Sequence, residues 1–506
     1  MRWRIVALPI VVAVITSVGL AQPASASSSF TFNGPTKLPG SDNGTEPSLG
    51  IALQSTNVNP VGYRYPTWQV PGQFDGSADG VNFTQLTTPD PSASGDTVSQ
   101  VDAAGAVYNA QICGSDEGPF FLHTCIWRSL DGAQTWPQVA VGADNNPGAS
   151  DRPWIDVYPK QSRAWNADNT YVYLEYHTFT PDDLTYATVS TDGGATFGIP
   201  VPLSDDPNSA GSSFCSTIPS GIVADQRHPG TVYALWLSAE NAVIGGTSGC
   251  NYTQAQVFNK AWVSVSTDYG LTWTAHLAWH GAYDPTTGSG DNASKIFGTI
   301  TVDRSGQVHV MLPVRFNDNV LEFLATGTEA PADTKLVLVT SPDQAQDWTP
   351  AFIATRNCKG SHFYPWITGG SAGRLDAVYY HSDSEKPNDP TSVWYTSFLQ
   401  VTRAVATVGG SGAQYTHTPV VKRTDAVDPN PVHVGGICTF GIFCSAVPNA
   451  NRNLADSISI ALTPDGGANL VWTKDTNPND QSEVDFACQT SGPSAFANMP
   501  NIQGCF

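Results

Sequence analysis

The residues best suited to chemistry in this chain sit in short polar segments that lead into apolar runs. Glu46, Asp96, Asp151, Arg152, Lys295, His362, Tyr364 and Asp456 all occupy such segments. Only 13% of residues are charged, so acids and bases recurring at one kind of position stand out. Two carboxylates in different environments can serve as acid and base for cleavage of a glycosidic bond. Glu46 and Asp151 are the candidates for that pair. Tyr364 beside an acid is a candidate nucleophile, and His362 with Tyr364 a candidate pair for proton abstraction. Arg152 could hold a carboxylate through two parallel hydrogen bonds. Lys295 and Asp456 join it as candidate binding groups. Arg64 and Arg315, near the ends of other strands, could complete an arginine cluster. The competing reading is local: Glu46 and Asp151, close to Pro47 and Pro153, could simply cap turns.

Distant segments need a frame to bring them together, and a repeated turn supplies one. Ser129–Trp136, Ser190–Phe197 and Ser266–Trp273 follow the pattern S/T-x-D-x-G-x-T-W/F, one of them with a shifted glycine. Ser77–Phe83 and Ser341–Trp348 are degraded copies, and Thr463–Gly467 lacks the aromatic. The Asp accepts hydrogen bonds from backbone N–H groups that follow it, and Gly supplies positive φ. The aromatic is free to pack on a neighbouring unit. Such Asp residues are folding devices and are not expected to be catalytic.

Between these turns an apolar strand, a polar turn and a second apolar strand recur. Copies begin at Ser48, Val98, Trp154, Gly221, Gly298, Trp366 and Ser457. Alternation with β-branched and aromatic residues marks them as strands. A pattern typical of an outer strand, Phe30–Leu38, has no unit in front of it. It is expected to join the last unit and leave no unpaired edge. The fold class is therefore all-β, a seven-bladed β-propeller closed by its N-terminal strand, with a six-bladed ring as the alternative. The segments entering each inner strand would then converge on one axial funnel, the default place for a site. Arg227 and Arg304 fall in turns on the opposite face and read as surface residues.

The repeated turns resemble the Asp-box (BNR) repeat of the sialidase superfamily over Phe30 to about Gly467. That resemblance implies the propeller fold, with the boxes on the face away from the active site. It implies a sialidase-like glycoside hydrolase, a Tyr nucleophile at Tyr364 and a substrate carboxylate held by arginine. Thr45-Glu46-Pro47-Ser48-Leu49 stands where a sialidase has a Phe-Arg-Ile-Pro-type motif, so the three-Arg clamp does not carry over. Only Arg152 has a comparable place. The competing readings are a propeller polysaccharide lyase and a non-catalytic propeller that binds glycan or protein.

Met1–Arg4 is basic, Ile5–Ala21 apolar, and Ala24-Ser25-Ala26 has the form of a cleavage site, so residues 1–26 read as a signal peptide. Residues 27–490 form the propeller and 491–506 a tail. The expected protein is secreted and monomeric, with a glycan partner and no cofactor or metal. A net charge of −21 argues against nucleic acid and anionic membranes as partners. Nine cysteines in an exported chain suggest disulfides, and Cys113–Cys125, Cys215–Cys250, Cys438–Cys444 and Cys488–Cys505 are local pairings that leave Cys358 over.

Overall fold

The computed structural model describes residues 30–51, 59–64, 73–89, 96–114, 122–145, 150–160, 165–178, 184–203, 217–239, 257–293, 297–320, 330–439, 444, 450–454, 456–475 and 482–505. The expected signal segment and the Cys215–Cys250 pair lie outside them.

Among the described residues, seven antiparallel sheets of four or more strands each run outward from a common axis. Their inner strands are Thr45–Leu49, Thr97–Val101, Ser150–Tyr158, Thr217–Ala224, Thr299–Val302, Ser361–Gly369 and Ser459–Leu462. Each inner strand packs against the next, and the last packs against the first. The ring is therefore seven-bladed, and the six-bladed alternative falls away. Sheets stacked face to face need apolar residues on both faces, and the second strand of the fourth blade, Val232–Ser238, is buried throughout.

The last blade closes as the sequence suggested. Its inner strand is followed by Ala468–Lys474 and Glu483–Ser491, and Thr31–Phe32 pairs with the latter as Thr31↔Ser491 and Phe32↔Gln489. Thr36–Lys37 adds to the same strand. Pairing the two ends of the chain removes the free edges that an open ring would expose.

Five Asp boxes close the hairpins between third and fourth strands. In the fourth blade, Asp268 Oδ1 accepts from Thr272 N at 2.9 Å and Oδ2 from Thr272 Oγ1 at 2.6 Å. Gly270 N donates to Ser266 Oγ at 2.8 Å. The box aromatics reach the preceding blade: Trp136 lies 4.7 Å from Phe74, and Phe83 lies 4.8 Å from Phe486. The sixth copy, Thr463–Gly467, differs. It joins the inner and second strands of the last blade, because the same Asx chemistry closes any short hairpin. In the sixth blade an extra hairpin, Ala406–Gly409 with Gly412–Tyr415, stands before the outer strand Val420–Thr424.

Disulfides join Cys113 to Cys125, Cys438 to Cys444 and Cys488 to Cys505, while Cys358 is free and buried. Such bridges persist in oxidising, extracellular-type compartments. The tail held by Cys505 runs beneath the last two blades. Ser371 N donates to Ala495 O at 3.0 Å, and Ala495 N donates to Gly466 O at 2.9 Å.

Candidate functional site

Three inner strands carry the same irregularity near their entry. Glu46, Arg152 and Tyr364 have φ of 54°, 53° and 50°, and each precedes a proline. Pairing to the second strand shifts register at the same places, between Thr45 and Ser48, Asp151 and Trp154, and Phe363 and Trp366. A left-handed conformation is unfavourable for residues with a Cβ, and a following proline pushes its predecessor toward extended backbone. Such strain costs on the order of 1–3 kcal/mol per residue and persists only where the surroundings impose it. A bulge re-aims the side chain it carries. Here three bulges on three blades turn an acid, a base and a phenol into one buried cluster.

Arg152 is the centre of that cluster. Its Nη2 lies 3.1 Å from Glu46 Oε1 and its Nε 3.2 Å from Asp96 Oδ2. Nη2 also bonds Asp456 Oδ2, which receives Arg452 from the other side. The guanidinium carbon sits 4.7 Å from the centroid of the Phe297 ring. Glu46, Asp96 and Asp456 are all buried. Burial alone would weaken the protonated guanidinium, but the carboxylates of Asp96, Glu46 and Asp151 outweigh it and raise its pKa.

Asp151 completes the cluster and differs from its neighbours. Its carboxyl is pushed up to about 6, first by burial and then by the charge of Asp96, with which it shares a hydrogen bond. Two carboxyls in contact cannot both ionise cheaply, so Asp151 gives up its proton at a higher pH than an ordinary aspartate. The Tyr364 hydroxyl is buried, has no hydrogen-bond partner, and its pKa is raised, mainly by burial. Its ring meets Tyr380 edge-on at 5.8 Å.

The other sequence candidates lie elsewhere. His362 turns into the wall between the fifth and sixth blades, where its Nδ1 pairs with Thr334 O at 2.7 Å and its ring stacks on His381 at 5.1 Å. Burial first, and His381 second, push its pKa down to about 3, so it is neutral at ordinary pH. Arg315 is fully buried as a latch: its Nε bonds Asp318 at 3.1 Å and its Nη1 bonds Ala332 O at 2.9 Å. An arginine with these partners is not available to the Arg152 cluster. Arg64 pairs through its backbone with Thr45 at the entry of the first blade. Lys295 lies outside the described residues. Sequence reasoning missed Arg452 and Phe297. Arg452 stands four residues before Asp456 in an irregular segment, where no periodicity marks it.

Beneath the Arg152 cluster is an aromatic layer. Trp154 stands 5.3 Å from Trp366 and 5.7 Å from Phe297. Below it the axis opens into a cavity of about 580 Å³, lined by inner-strand residues of all seven blades. The sequence placed the open funnel on the Arg152 side. Among the described residues an axial cavity also lies on the other side of the aromatic layer.

No family model matches the chain, and no curated protein matches it. Solved structures are similar in fold at low identity. An α-L-arabinofuranosidase of Fusarium graminearum, in complex with arabinobiose, is 10% identical over 92% of this chain and 97% of its own, with a TM-score of 0.40. An ulvan lyase of polysaccharide lyase family 25 is 10% identical over 89% and 95%, with a TM-score of 0.47. The Hadza microbial sialidase Hz136 is 13% identical over 67% and 63%, with a TM-score of 0.38. The likeness is one of propeller fold and no more.

Proposed function

We propose that the chain is a carbohydrate-active enzyme of the glycoside hydrolase type, working outside the cell with its reaction centre at the Arg152 cluster. One observation carries this reading. Asp151 keeps its proton up to about pH 6 beside Asp96, well above an ordinary aspartate, while Arg152 pairs with Asp96, Glu46 and Asp456. Carboxyl groups whose environments push their pKa values apart are suited to act as acid and base. Asp151 is the proton donor to the leaving oxygen. Glu46 or Asp96, each paired with Arg152, is the second carboxyl group of the reaction. Arg152 positions these carboxylates. Since its Nε and Nη2 are engaged by protein carboxylates, a substrate carboxylate is not its first ligand, and the sugar at the centre is recognised through hydroxyl groups.

The test is a glycan screen with the wild-type chain, Asp151→Asn and Tyr364→Phe. Cleavage abolished by Asp151→Asn and retained by Tyr364→Phe is the expected result. Cleavage abolished by Tyr364→Phe alone would replace this reading with a tyrosine nucleophile. Glycan binding with no turnover in the wild type would make the chain a binding propeller.

A further inference from the structure

We infer that the C-terminal tail, residues 492–505, is a clasp that holds the last blade shut by strapping the inner hairpins of the fifth, sixth and seventh blades together on the face opposite the Arg152 cluster.

The seventh blade is where this ring is weakest. Thr31–Phe32 and Thr36–Lys37 come to it from one end of the chain, and Ser459–Leu462, Ala468–Lys474 and Glu483–Ser491 from the other. Among the described residues every other blade is built from one continuous stretch of chain. A blade joined from two chain ends through short strands opens at lower free energy than one whose hairpins are continuous. A strap from this blade to its neighbours acts where opening would begin.

The tail leaves the blade at Gly492, crosses the hairpins and returns. Ile502 N donates to Gly492 O at 2.9 Å, and Cys505 is bridged to Cys488. On the seventh blade Ala495 N donates to Gly466 O at 2.9 Å and Ser494 Oγ to Asp465 O at 2.6 Å. On the sixth, Ser371 N donates to Ala495 O at 3.0 Å, Arg374 Nη1 to Ser494 O at 2.8 Å, and Ser371 Oγ accepts from Ala497 N at 2.9 Å. On the fifth, the Arg304 guanidinium lies 3.3 Å over the ring of Phe496. Ser494, Ala495, Phe496 and Ile502 are all buried, whereas chain ends that are not tied down are poorly ordered. The hairpins beneath are shaped to admit the strap. A Cβ on Gly370 would stand 2.3 Å from Ala495 O, and one on Gly466 2.3 Å from Ser494 Oγ. Glycine at both places allows close backbone approach. The bridge turns the strap into a closed loop, so it does not fray from its end.

The clasp is independent of the reaction assigned to Asp151. The experiment is amide hydrogen exchange, read by mass spectrometry, on the full chain and on its Gly370→Ala and Cys505→Ser variants. Gly370→Ala sets a methyl group against atoms of Ala495, and Cys505→Ser opens the loop. Gly410→Ala, where a Cβ meets nothing within 4 Å, is the control and is expected to match the wild type. In both strap variants the amides of Ala468–Lys474 and Glu483–Ser491 are expected to exchange at least about tenfold faster. Those of the third blade, Ser150–Tyr158 and Tyr171–Thr178, are expected to keep the wild-type rate. Unchanged exchange in the last blade of either variant overturns the proposal. So does equal acceleration in all blades, which reports lost overall stability and no clasp. The wild type gives a check that needs no substitution: the amides of Ala495 and Ile502 are expected to exchange no faster than those of Glu483–Ser491. Tail amides that exchange faster than the blade they hold overturn the proposal.

Discussion

Arg152 and Glu46 meet at 3.1 Å across the propeller axis, although 106 residues separate them in the chain. Both adopt left-handed backbone before a proline; Glu46 is buried and Arg152 nearly so. The strain at each is sustained by the ion pair that the other completes.

Arg152→Ala leaves Glu46, Asp96 and Asp456 gathered around a missing charge. Removing one partner of a buried ion pair costs about 3–5 kcal/mol. Urea denaturation is expected to show a loss of this size. Glu46→Gln is expected to cost less, since Asp96 and Asp456 still neutralise the guanidinium. Equal stability of Arg152→Ala and wild type would remove the cluster from any structural role.

Asp151 gives a pH dependence with a defined sign. Its folded pKa, about 6, lies above the usual aspartate value, so the native state binds its proton more tightly than the unfolded chain. Stability is full below the unfolded value and declines as pH rises through the folded one, by roughly 2–3 kcal/mol in all. Asp151→Asn is expected to flatten that decline between about pH 4 and 6. Glycan cleavage by the wild type is expected to fall off above about pH 6 as the proton donor is lost. A wild-type profile flat through that region would dissociate Asp151 from the reaction.

His362 titrates with the opposite linkage. Burial holds its pKa near 3, below the ordinary histidine value, so the unfolded chain takes up the proton first. Stability is expected to fall as pH drops from about 6.5 toward 3, with roughly 2–3 kcal/mol gone by pH 4.5. His362→Gln removes this slope and leaves the pH profile of cleavage in place. A shifted activity profile in that variant would return His362 to the list of reacting groups.

Asp268→Ala tests the repeated turn. The carboxylate accepts from Leu271 N at 3.1 Å, Thr272 N at 2.9 Å and Thr272 Oγ1 at 2.6 Å, far from the Arg152 cluster in the topology. Losing these bonds is expected to cost about 1–2 kcal/mol, as for loss of a capping residue. Cleavage measured well below the melting temperature is expected to be unchanged.

The ring closure by Phe30–Leu38, the blade count and the Asp-box hairpins were legible in the sequence because each rests on local pattern: alternation, Asx turns, and a spare outer strand. The gathering of Glu46, Asp151, Arg152, Tyr364 and Asp456 was legible in part, since inner-strand entries must converge once a ring is assumed. His362 and Arg315 show where that logic stops. Their positions along strands suggested the axis, but the bulge at Tyr364 re-aims one side chain of Ser361–Gly369 and not its neighbour, and Arg315 found its carbonyl partners in chain far from it in sequence. Arg227 and Arg304, by contrast, are exposed in turns on the opposite face, as the sequence suggested. Sequence by itself determined which segments become blades and in what order they close. Only the tertiary structure decided which charges face one another, because a buried charge takes its state from neighbours that the chain supplies from other blades.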